Sequence, residues 1–117
     1  MATVPMQDIY NALRQLGITA KYRGYRYLAL AVSLALEEED RLLSVTKNLY
    51  PKIAEACDTT WHCVERDLRT VIQNCWNSTD HTVLEMMAGR RLTERPSTVS
   101  FIEILVGYFS RGDEAAS

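Results

Sequence analysis

No stretch of this 117-residue chain is apolar for long enough to cross a membrane, and its start, Met1-Ala2-Thr3-Val4-Pro5, has neither the basic opening nor the apolar run of a secretory signal. Both absences predict a cytoplasmic protein without membrane contact. CxxC spacing is missing too: Cys57, Cys63 and Cys75 are an odd set, expected to stay as thiols in a reducing compartment. A zinc site from Cys57, His62, Cys63 and Cys75 would need ligands from different faces of one helix and the turn before it, so no metal is expected. There is no Gly-rich phosphate loop and no nucleophile motif, and only His62 and His81 are available as neutral-pH bases. The chain is therefore read as neither an enzyme nor a cofactor carrier. A basic surplus is lacking as well, with 13 Lys and Arg against 15 Asp and Glu and a formal charge of −2. Taken alone, that argues against a polyanionic partner.

The distribution of charge tells more than its sum. Four consecutive acids, Glu37-Glu38-Glu39-Asp40, exceed the whole deficit, while basic residues cluster as Lys21, Arg23 and Arg26, as Arg66 and Arg69, and as Arg90, Arg91 and Arg95. Converging in space, these groups make a phosphate footprint; scattered, they are solvated faces. Of the residues, 47% are apolar and 24% charged, as in globular proteins, and the length suits one core rather than two. A single domain over residues 1–117 is expected, with Ser110–Ser117 as a frayed tail.

Apolar residues recur at helical spacing throughout, and no strand pattern or internal repeat is present. Met6, Ile9, Leu13 and Leu16 outline a first helix ended by Gly17. Tyr25 to Glu38 carries a broad stripe through Leu28, Val32 and Ala35, which predicts a mostly buried central helix. Leu42 to Cys57 is helical in pattern but should kink or break at Pro51. Val64, Leu68, Val71, Ile72 and Cys75 define a long helix from Thr60 to Trp76. A turn at Asn77-Ser78-Thr79-Asp80 leads to a short helix from about His81 to Ala88, ended by Gly89. After a polar loop, Thr98 to Ser110 closes the fold. The expected class is all-α, a bundle of about six helices.

Within it, residues 50 to 69 read as a helix-turn-helix, the unit that lays its second helix in the DNA major groove. Ala54 is the small residue where the helices cross, with Ile53 and Cys57 in the same corner, and Asp58-Thr59-Thr60 breaks the first helix. With Val64 and Leu68 inward, Thr60, Trp61, His62, Glu65, Arg66 and Arg69 face outward. An ordinary antiparallel helix pair with a merely wet polar face fits the same spacing.

Further residues carry a more specific likeness. Gly24-Tyr25-Arg26-Tyr27-Leu28, Val45 to Ala54 (VTKNLYPKIA), Val64-Glu65-Arg66 with Arg69 and Ile72, Trp76, and Pro96-Ser97-Thr98 before Phe101-Ile102 together resemble the C-terminal DNA-binding domain of stage 0 sporulation protein A, in order, from about Ile9 to Phe109. The resemblance implies a six-helix effector domain of a response regulator that binds promoter boxes in transcriptional control of sporulation, in the cytoplasm on the nucleoid. It implies that Glu65 and Arg66 contact base edges. Arg66 can donate twice to guanine, and Glu65 can accept from the cytosine amine. We expect base reading by Glu65, Arg66, His62, Trp61 and Arg69, and phosphate contacts from Thr60, Lys47, Arg90, Arg91 and Arg95.

The departures from the family pattern concern the same surface. Bulky Trp61, His62 and Cys63 stand where relatives carry small or basic residues, and Asp67 places an acid near the expected phosphates. The segment between Trp76 and Pro96, where relatives touch the sigma subunit of RNA polymerase, is shortened. The Asp cluster and βα repeats of a receiver domain are absent from this sequence. Two function classes therefore stand: sequence-specific binding of double-stranded DNA, and an interaction module or decoy that modulates another regulator without binding DNA strongly. Phe101, Ile104 and Tyr108 lie beyond the stripe one core would bury, and so predict a weak homodimer through Thr98–Ser110.

Overall fold

Pro5, at φ −64°, starts helix α1 (Met6–Gln15) in the computed structural model, which describes the backbone of residues 4–78 and 80–116 and the side chains as far as residue 111. Proline suits that place because its missing amide would have had no helical partner. Helix α2 (Gly24–Glu37) follows, and on it Leu28, Ala29, Ala31, Val32 and Ala35 are buried, as its broad stripe predicts. A 3-10 turn (Glu39–Leu43) then leads to α3 (Val45–Asn48) and α4 (Tyr50–Ala56). The expected break is present two residues early, at Leu49 (φ −121°, ψ −60°), and Pro51 sits in the first turn of α4 instead. Tyr50 is itself helical, and in the first turn the missing amide of proline costs no helical hydrogen bond, so the helix restarts ahead of the ring.

Helix α5 runs Trp61–Ser78, so Thr60 is its cap and it extends two residues past Trp76. Helix α6 (Thr82–Ala88) ends at Gly89, whose left-handed φ of 71° costs little without a side chain. Helix α7 spans Thr98–Ala116, continuing past the expected end at Ser110. Thr79, within the expected turn, and Ser117, the end of the expected tail, lie outside the described residues. All described elements are helical, in an all-α bundle in which α3 and α4 form one bent rod.

The core is one continuous apolar cluster, with Ile9, Leu13, Leu28, Val32, Leu49, Ile53, Leu68, Phe101, Ile102 and Leu105 at its centre. Helix α2 lies in the middle, packed against α1, α5 and α7. Phe101 and Ile104, expected as surplus, are 1% and 7% exposed. A central helix that offers apolar groups on several sides lets α7 bury more than one stripe, so these two residues close the chain's own core. Only Tyr108 of the three remains half-buried.

Candidate nucleic-acid interface

The corner between α4 and α5 is built from backbone requirements. Ala54 is buried where the two helices cross, alongside Ile53, while Cys57 is half-buried rather than fully inside. The last turn of α4 closes by hydrogen bonds from Cys57 N to Ile53 O at 3.0 Å and from Thr59 N to Ala54 O at 2.9 Å. Between them Asp58 adopts a left-handed φ of 53°, the only positive φ outside glycine among the described residues. Aspartate tolerates this region better than most side chains, and the reversal points the chain into α5. Thr60 then caps the new helix, its Oγ1 accepting from Cys63 N at 3.2 Å.

Helix α5 divides cleanly into two faces. Val64, Leu68, Val71, Ile72 and Cys75 are buried. Trp61, His62, Arg66 and Arg69 are exposed, with Glu65 partly so, and all five expected base readers thus share one outward surface. At its start the Trp61 and His62 rings stack with centroids 3.8 Å apart. Further along, Arg69 Nη1 lies 3.8 Å from Glu65 Oε1, and Arg66 Nε donates to Asp67 Oδ1 at 3.3 Å. These are exposed contacts of small worth, readily exchanged for stronger partners.

Asp67 is not the open acid its position suggested. Its side chain is only 14% exposed, and Oδ2 is buried with no hydrogen-bond partner among the described residues. The start of α2 packs against the backbone here: a β-carbon on Gly24 would lie 2.6 Å from Asp67 O and 2.6 Å from Val71 Cγ1. Such contact is possible only for glycine, and it sets the positive end of α2 beside Asp67. The Arg66 guanidinium is held firmly protonated, chiefly by its hydrogen bond to Asp67. The Cys63 thiol is drawn below its ordinary range, first by the Thr60 hydroxyl and then by that of Thr59.

The same close approach carries the exposed Lys21, Arg23 and Arg26, at and around the start of α2, toward the middle of α5. Two of the three basic groups therefore lie on elements that pack against each other. That juxtaposition was beyond sequence reasoning, because its only signal was a glycine ahead of an apolar stripe. Lys47 is exposed on α3, while Arg90, Arg91 and Arg95 are exposed in the loop between α6 and α7, on an element separate from α5. That loop is anchored by Leu92 N donating to Glu85 Oε2 at 2.7 Å. No group of His, Cys, Asp and Glu suited to a metal ion occurs among the described residues, and no helix there is long and apolar enough to span a membrane.

An outward polar face on a helix locked by a left-handed turn can be inserted into a groove as a rigid unit, with hydrogen-bond donors and acceptors of several lengths. The family described as Sporulation initiation factor Spo0A C terminal matches residues 9–109 of the chain.

Proposed function

The chain belongs to the family of sporulation initiation factor Spo0A C-terminal domains, DNA-binding regulators of transcription, and on that premise we propose that it reads a specific duplex sequence with α5 in the major groove. The observation that carries this reading is the outward face of α5, where Trp61, His62, Glu65, Arg66 and Arg69 stand together over a fully buried inner stripe. Arg66 supplies bidentate donation to guanine, Glu65 accepts from cytosine, and Arg69 extends the reading along the groove. Trp61 and His62 offer a flat apolar surface for a thymine methyl. The side chains of Thr60 and Lys47, with those of Arg90, Arg91 and Arg95, meet phosphates, and Lys21, Arg23 and Arg26 join them from the start of α2. On this reading the protein acts in the cytoplasm, on the nucleoid. Tyr108 and Phe109 are the apolar surface left on α7 for weak pairing of copies on adjacent boxes, and the Trp76–Pro96 segment is where the family likeness puts a contact with the sigma subunit.

Selection of bound duplexes from a random pool tests the reading. A consensus box whose guanine loses its preference in Arg66→Ala supports it, and a pool without enrichment rejects it. A second reading, an interaction module that scarcely binds DNA, draws on the pairing of both recognition arginines with acids. The two separate on salt dependence, since release of counterions makes phosphate binding fall steeply as salt rises.

A further inference from the structure

At the far end of α2 the 3-10 turn Glu39–Leu43 buries none of its residues, and Leu43 is 85% exposed. Beside Leu43 a groove opens toward α7, with Leu42, Val106 and Gly107 along it. Glu39 and Asp40 from the turn and Glu103 from α7 form its lip. The nearby Arg41 does not neutralise them. Its guanidinium folds back, donating to Leu34 O at 2.7 Å and lying 3.6 Å from Glu37 and 3.7 Å from Glu38. Among the described residues no cation pairs with Glu39, Asp40 or Glu103. The exposed Leu43 thus lies in a groove rimmed by three carboxylates that no cation of the described residues neutralises, apolar surface and negative charge side by side.

We propose that this groove docks a basic amphipathic helix of a partner protein. One apolar side chain of that helix seats against Leu42 and Leu43, and flanking lysines or arginines meet Glu39, Asp40 and Glu103. The charge complementarity selects the occupant: the acidic lip repels phosphate and so excludes nucleic acid, while a neutral apolar helix would strand the carboxylates. Its position keeps it free during DNA binding. Helix α2 has 14 residues, so its two ends stand about 20 Å apart. The start meets the recognition helix at Gly24, and the groove lies at the other end.

The test uses the whole chain, isotope-labelled, titrated with a synthetic leucine/lysine amphipathic helical peptide and followed by amide shifts. Shifts confined to residues 39–43 and 103–107 are expected, with binding weakened about tenfold or more in Leu43→Asp and in the double variant Glu39→Lys/Asp40→Lys. Because these side chains are exposed, both variants should keep the parent's thermal midpoint and its DNA affinity. Unchanged peptide binding by the variants, equal binding of a scrambled peptide, or shifts centred on α5 would overturn the proposal. So would self-association of the free protein that perturbs the same amides, since the groove would then belong to a second copy.

Discussion

Gly24 and Val71 touch so closely that a single added β-carbon would sit 2.6 Å from Val71 Cγ1 and 2.8 Å from Val71 Cβ. The contact fixes where the central helix meets the recognition helix, and the neighbouring atoms are backbone and a β-branched side chain that cannot swing aside. Gly24→Ala should therefore destabilise the protein by ~1–3 kcal/mol, as overpacking does. Chemical denaturation measures this, and a midpoint at or above the parent's would mean that α2 and α5 have room to part.

The turn of the helix-turn-helix offers the opposite result. Asp58 occupies a left-handed conformation that glycine adopts without steric cost. Asp58→Gly should raise stability by about 0.5–1 kcal/mol, with the relief of strain exceeding the entropy that glycine adds to the unfolded chain. Calorimetry decides the sign.

Arg66 should separate binding from folding. Its side chain is exposed and its hydrogen-bond partner is the adjacent, largely enclosed Asp67, so Arg66→Ala ought to keep the fold, with no more than a modest drop in thermal midpoint from the carboxylate left unpaired. Binding to the selected box should weaken about ten- to a hundredfold, the worth of a bidentate guanine contact. Retained affinity for the box would move base reading elsewhere on the surface.

Cys63 supplies a footprint of the same face. Hydrogen bonds from Thr60 and Thr59 lower its thiol below the ordinary range, so the reactive thiolate is populated at lower pH than in a free cysteine. Alkylation of Cys63 should thus set in earlier as pH rises, and outpace that of the half-buried Cys57 and the buried Cys75. A saturating specific duplex should slow it. Labelling followed by peptide mass analysis gives the order and the protection, and equal rates with and without duplex would place α5 outside the groove.

Much of the helical framework was legible because apolar residues repeat at 3.6-residue spacing, and the corner was legible because Ala54 must be small where helices cross. The outward face of α5 followed from Val64 and Leu68 once that period was accepted. Other features depended on partners distant in sequence. The surplus apolar residues of α7 pointed outward on a one-stripe reading, yet Phe101 and Ile104 are taken up by a core whose central helix is apolar on several sides. Asp67 read as an acid near phosphates, yet its side chain is largely enclosed, and Gly24, more than forty positions earlier, packs against its backbone. The break expected at Pro51 fell at Leu49, since in the first turn of a helix the missing amide of proline costs no hydrogen bond.

The stacking of each tryptophan on a histidine also gives the molecule two optical probes with different duties. Trp61 lies against His62 at 3.8 Å on the exposed recognition face, whereas Trp76 lies against His81 at 3.5 Å, half-buried at the junction of α5 and α6. An indole open to water emits at longer wavelength than one enclosed by protein, so their fluorescence is separable. Replacing Trp76 with phenylalanine leaves a reporter that responds to a docked duplex, and replacing Trp61 leaves one that follows the seating of α6 alone. Occupancy of the groove-reading face and integrity of the fold can thus be watched independently, without attaching a dye.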